Sequence, residues 1–232
     1  VTMRLVIFDF DGTLADSAAW TTLALIDGAE RHNYRRLDEA AVEALRGMDN
    51  RRIIRELGVP FWKLPLIARD MRRRMAEQAG TIPLFPGTAA MIEALAARGA
   101  VLAIVSSNSE ENVRRILGDA LSRRMALMEC GASIFGKGRR LRRALRRAGF
   151  APGQAIGIGD EARDIEAARQ AGIVAGAVSW GYASRGLLES CRPDMIFDRM
   201  EEVAERLYPV SPGPSEPPGF PAVTGAAPPA RG

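Results

Sequence analysis

Short apolar runs set into longer stretches of helical periodicity give this chain its framework. Residues 5–8, 101–105, 125–128, 155–158 and 173–178 are dominated by aliphatic side chains and show no regular alternation of apolar and polar positions. Such runs predict strands buried on both faces, as in a parallel sheet. Between them the period changes to that of a helix. Residues 88–98 form one such segment, with Thr88 as the expected N-cap and Gly99 as the expected stop. Residues 164–171 form another, closed by Gly172. Strands alternating with helices predict an α/β fold built on a parallel sheet.

Residues 18–84 depart from that rhythm. They carry helical periodicity and many Arg and Ala, and no run reads as a strand. Short amphipathic helices are expected over 40–45 and 51–57, parted by Gly47-Met48-Asp49-Asn50. Pro60, Pro65, Pro83 and Pro86 are expected to break the chain beyond residue 57. Leu84-Phe85-Pro86-Gly87 reads as a hinge. The plain alternative is that these helices pack on the sheet as ordinary layers. From 209 to 232 there are eight prolines and four glycines and few large apolar residues, a composition that predicts a disordered tail.

Chemistry gathers where the expected strands end. Asp9-Phe10-Asp11-Gly12-Thr13-Leu14 comes directly after the first run, Ser106-Ser107-Asn108 after the second, and Asp160 after the fourth. In an open parallel sheet those ends share one edge, where ligands bind. Side chains two apart on a strand start toward the same side, so Asp9 and Asp11 would repel unless a cation or a reacting group lies between them. Mg²⁺ with a phosphate supplies that compensation. A turn alone would also use Asp-Gly. A calcium loop starting at Asp9 would need Glu at its twelfth position, where Trp20 stands. Gly157-x-Gly159 lacks the third glycine of a dinucleotide fingerprint.

The first of these stretches, extended to Ala15-Asp16-Ser17, resembles the opening motif of the haloacid dehalogenase superfamily in its phosphatase form. Ser106 after its strand, Lys137 in Ile134-Phe135-Gly136-Lys137, and Gly159-Asp160-Glu161-Ala162-Arg163-Asp164 resemble the other three motifs, in the same order. The resemblance spans about residues 3 to 208 and is strongest toward the phosphoglycolate phosphatase group. One departure is Gly138, where many relatives carry proline. The resemblance implies a Rossmann-like core over 1–17 and 85–208 and an inserted α-helical cap over 18–84. It implies that Asp9 is a nucleophile and Asp11 a general acid–base group. Mg²⁺ is then expected on Asp9, Asp160 and the backbone carbonyl of Asp11, with Asp164 behind them. Ser106, Ser107, Asn108 and Lys137 are expected around the phosphate of a small phosphorylated metabolite. Asp164 could instead cap the helix after it, and Asn108 could cap a helix through 113–117.

Composition narrows the field. The 232 residues carry a net charge of +4, and of 32 basic residues only Lys63 and Lys137 are lysine. A compact ammonium is not interchangeable with a guanidinium in a small pocket, which singles out Lys137. The arginine run 139–147 places Leu141, Ala144 and Leu145 at helical spacing, so it reads as a solvated helix face and no nucleic-acid partner is expected. Cys130 and Cys191 build no disulfide framework, and Asp9 and Asp11 interrupt the first apolar run, so a cytoplasmic protein without membrane association is expected. His32 is assigned a surface or packing role, Glu161 a loop role, and Trp62 and Trp180 roles as core or loop anchors. A sugar-phosphate mutase, a non-catalytic phosphate-ligand-binding regulator and a dehalogenase are the rivals, the last disfavoured by Asp11. The sequence leaves substrate identity and oligomeric state open.

Overall fold

The computed structural model describes residues 3–131 and 136–209. Six parallel strands among them form one sheet: β1 (Leu5–Phe8), β2 (Val101–Val105), β3 (Met125–Glu129), β4 (Ala155–Gly159), β5 (Val174–Val178) and β6 (Met195–Phe197), in spatial order β3-β2-β1-β4-β5-β6. The absence of alternation in β1 now has its reason. Val6 and Phe8 pack into the apolar layer on one side of the sheet, and Leu5 and Ile7 into the layer on the other. Both faces are dry, so every position is apolar.

The order of helices along the chain is α1 (Ala18–His32), α2 (Glu39–Leu45), α3 (Asn50–Glu56), α4 (Leu64–Gln78), α5 (Thr88–Ala97), α6 (Glu110–Ser122), α7 (Lys137–Ala148), α8 (Ala162–Ala171), α9 (Arg185–Ser190) and α10 (Met200–Leu207). Helices α5, α6 and α10 cover the Val6 side of the sheet, and α7, α8 and α9 cover the Leu5 side. Leu141, Ala144 and Leu145 of α7 are buried, while Arg143 and Arg147 pair with Glu129 at the end of β3. The arginine run is therefore the outer face of a layer helix.

Helices α1 to α4 are inserted between β1 and β2 and have an apolar cluster of their own, including Leu37, Leu45, Ile54, Leu57 and Ile67. The chain enters and leaves the insertion through two segments bound side by side. Asp16 N–H donates to the Pro83 carbonyl at 2.9 Å, and Phe85 N–H to that of Leu14 at 3.0 Å.

Several local expectations are corrected. Pro65 does not break a helix: it sits in the first turn of α4, where its missing N–H costs nothing. Thr88 is the first residue of α5 and Gly87 its N-cap; the Thr88 hydroxyl donates to the Leu14 carbonyl, tying α5 to the first motif. Strand β6 has no counterpart among the expected strands, because a three-residue edge strand is too short to show a pattern. Trp62 is 74% exposed and anchors no core, whereas the Trp180 indole donates to the Thr13 carbonyl. His32 is partly buried against Asp70 at 3.0 Å. Of the third motif, Ile134 and Phe135 lie outside the described residues, as does the proline-rich stretch from 210 onward. Among the described residues no helix is long and apolar enough to cross a membrane.

Candidate active site

Sheet register explains why residues far apart in sequence meet. Phe8 pairs with Ile104 on one side and with Ile158 on the other. Asp9 therefore leaves the sheet level with Val105 and Gly159, and Ser106 and Asp160 come one step further on. The backbone then reverses at once: the Phe10 carbonyl accepts from the N–H groups of Thr13, Leu14 and Ala15. Gly12 holds φ at +78° in this turn, and a Cβ there would overlap the Asp160 carboxylate.

The two aspartates of the first motif have separate surroundings. Asp9 is 4% exposed, and Lys137 Nζ lies 2.8 Å from its Oδ2. The same ammonium lies 2.6 Å from Asp164 Oδ1. Asp11 turns to other partners: Ser17 Oγ donates to it at 3.1 Å, and so does Asn108 Nδ2 at 3.1 Å. Burial first, and then the neighbouring Asp9, push the Asp11 carboxyl up to about 6. Burial also raises Asp9, against the pull of Lys137. Burial alone would depress the Lys137 ammonium, but Asp164 and Asp9 outweigh it and hold it above its ordinary value. Asp164 is lowered despite burial, because Lys137 and Arg163 face it.

Asp160 is fully buried. Thr13 Oγ1 donates to one of its oxygens at 2.9 Å and the Tyr182 N–H to the other at 2.8 Å. Its carboxyl is raised well above the usual range by burial, then by Glu161, Asp164 and Asp9. One carboxylate oxygen each from Asp9, Asp160 and Asp164 lies within 4.8 Å of the others. All three are hard oxygen donors, which suits Mg²⁺. Burial is the first cause that raises the carboxyls of Asp9 and Asp160, and a cation held among them would favour their charged forms. The residues present thus fit a divalent cation.

Ser106 is buried at the end of β2 with its Oγ accepting from the Asn108 N–H at 3.0 Å. Asn108 does not cap α6; Ser109 does, and Asn108 reaches Asp11 instead. Ser107 keeps its carbonyl on Arg72 of α4 at 3.3 Å and lines the cavity between the insertion and the sheet edge. Asp164 is not the N-cap of α8 either. Glu161 is, and its N–H donates to Asp164 Oδ2 at 3.0 Å, so Asp164 serves the helix end and Lys137 together. Glu161 is more than a loop residue: it pairs with Arg163 and accepts from Asn50 of α3 at 3.2 Å.

Tyr182 is a site residue that the sequence does not single out. Its hydroxyl meets Ser17 Oγ at 2.7 Å and Thr21 Oγ1 at 3.0 Å, and Arg46 Nε donates to its carbonyl at 3.2 Å. The available signal is position, since Trp180-Gly181-Tyr182 comes after β5 at the same sheet edge.

A parallel sheet with four carboxylates and a buried lysine at its C-terminal edge defines an α/β enzyme with an acidic centre. The chain belongs to the haloacid dehalogenase-like hydrolase family, whose model matches residues 6–178. It is 34% identical to a phosphoglycolate phosphatase of Synechococcus elongatus over 88% of this chain and 96% of the relative. It is 29% identical to a phosphoglycolate phosphatase of Agrobacterium fabrum over 88% of this chain and 92% of the relative. Its fold is similar to a haloacid dehalogenase-like hydrolase of Streptococcus pneumoniae, with a TM-score of 0.73 at 22% identity, covering 88% of this chain and 98% of that one. It is also similar to a mutant of CbbY from Rhodobacter sphaeroides in complex with xylulose-1,5-bisphosphate, with a TM-score of 0.68 at 22% identity, covering 86% and 96% of the two chains.

Proposed function

We propose that this hydrolase is a Mg²⁺-dependent cytoplasmic phosphatase that cleaves a small phosphorylated metabolite through an aspartyl-phosphate on Asp9. The observation that carries the reading is the division of labour between the two aspartates: Asp9 is held beside Lys137, and Asp11 is turned to Ser17 and Asn108. The relatives named phosphoglycolate phosphatase support a phosphomonoester substrate.

In this mechanism an Asp9 oxygen attacks phosphorus and the ester oxygen leaves. Asp11, its carboxyl raised to about 6, gives that oxygen a proton and later takes one from the water that cleaves the aspartyl-phosphate. Lys137 offsets charge on the phosphoryl oxygens, and the Ser106 hydroxyl and the Ser107–Asn108 segment donate to them. Asp9, Asp160 and the Asp11 carbonyl would hold Mg²⁺, which would offset phosphate charge, with Asp164 orienting Lys137 behind them. Helices α1 to α4 act as a cap over residues 18–84 that shields the site from water.

The test is phosphate release from a panel of phosphorylated metabolites with and without Mg²⁺. Turnover should require Mg²⁺ and vanish in Asp9→Asn. Substantial turnover by that variant removes the nucleophile assignment, and tight phosphate binding with no hydrolysis of any ester points to a regulator.

A further inference from the structure

A cavity of about 450 Å³ opens between the insertion and the sheet edge and reaches Asp11, Ser107 and Asn108. That volume falls in the range of sites for ligands much larger than a two-carbon phosphoester. Part of its insertion side is an apolar wall, beside the polar Thr21, Glu43, Arg46 and Asn50. Leu25, Val42, Ile53 and Met71 form that wall, and each also packs only partly buried on the apolar cluster of the insertion. One side of each is dry, and the other faces the cavity. Apolar surface left in this state gains stability when a ligand covers it.

The cations lining the cavity do not alter that character. Arg46 donates to the carbonyls of Tyr182 and Gly181, and Arg163 pairs with Glu161. Arg72 donates to the Ser107 carbonyl, which places it at the phosphate end. The guanidiniums that line the cavity are those of Arg46, Arg72 and Arg163, and each is engaged by a protein group, Arg46 by Glu43 as well.

The geometry points to a phosphomonoester whose alcohol part is bulky and apolar as the preferred substrate, the Leu25–Val42–Ile53–Met71 wall holding that part while the phosphate lies at Asp11, Ser107 and Asn108. The inference rests on the phosphatase reading and departs from phosphoglycolate, whose organic part is a small carboxylate. A carboxylate against that wall would lose its hydration without gaining a partner.

The test compares ethyl, butyl and 2-phenylethyl phosphate with phosphoglycolate, using the native protein with Mg²⁺. The leaving groups of the three alkyl esters are primary alkoxides, so differences among them report on the wall. kcat/KM should rise at least about tenfold from ethyl to 2-phenylethyl phosphate, and phosphoglycolate should fall below 2-phenylethyl phosphate. A flat series, or phosphoglycolate ahead of 2-phenylethyl phosphate, overturns the inference and leaves the phosphatase reading standing. No turnover of any ester overturns both. Ile53→Asn should lower kcat/KM for 2-phenylethyl phosphate about tenfold more than for ethyl phosphate, and equal losses would count against the wall. The non-hydrolysable 2-phenylethylphosphonate should also bind more tightly than methylphosphonate, read from the fluorescence of Trp20 and Trp180, which line the same cavity. Equal affinities would again sink the idea.

Discussion

Lys137 shows what one residue type decides. Its ammonium sits between Asp9 and Asp164 at 2.8 and 2.6 Å. A point charge on a flexible stem can satisfy both carboxylates, whereas a planar guanidinium needs more room and a fixed fork. In a chain whose basic residues are otherwise almost all arginine, this explains the exception. Lys137→Met would leave two buried carboxylates without their cation, at an expected cost of ~3–5 kcal/mol in the metal-free protein, measured by denaturant unfolding. Lys137→Arg should keep most of the stability yet lose at least about tenfold in turnover; full activity would remove the positional argument. Asp11→Asn should fold normally and lose about 10²–10⁴-fold in phosphate release, the usual share of a general acid–base group. Asp9, Asp11, Ser106, Lys137 and Asp160 were legible because each carries a chemistry that a strand end or a lone lysine makes conspicuous. Tyr182 was not, because its part is played by a backbone N–H and by a hydroxyl shared with Ser17 and Thr21, neither of which marks a sequence.

At the scale of elements, the site is made by loops that pass within contact of one another. The turn through Gly12 and the loop through Gly181 both press on Asp160. A Cβ on Gly181 would overlap the Asp160 side chain and the Gly12 carbonyl, and a backbone group cannot swing aside. Gly181→Ala is therefore expected to cost ~1–3 kcal/mol by overpacking and to impair turnover as well. A variant with native unfolding midpoint and native turnover would show that the two loops have slack. Helix starts were the least legible elements. Ser109 rather than Asn108 caps α6, and Glu161 rather than Asp164 caps α8. Several adjacent polar residues could each have served. The long-range partner settled the choice: Asn108 is drawn to Asp11 and Asp164 to Lys137.

For the whole molecule, the proposed Mg²⁺ site would tie stability to a cation. A ligand that binds only the native state at a hundred times its dissociation constant adds ~2.7 kcal/mol. For a domain of this size that raises the unfolding midpoint by roughly 5–10 °C. Mg²⁺ should produce such a shift, EDTA should reverse it, and Asp160→Asn should abolish it. An unchanged midpoint at saturating Mg²⁺ would remove Asp9, Asp160 and the Asp11 carbonyl as a metal site.

By itself the sequence determined the parallel sheet, the helical insertion and the candidate residues at the strand ends, because buried strands must be continuously apolar and polar groups can gather only where strands end. Only the tertiary structure decided how charge is shared among Asp9, Asp11, Asp160 and Asp164, which neighbours position them, and what cavity the insertion closes over them. Those depend on distances between segments remote in sequence, and both desolvation and Coulomb energy are set by distance.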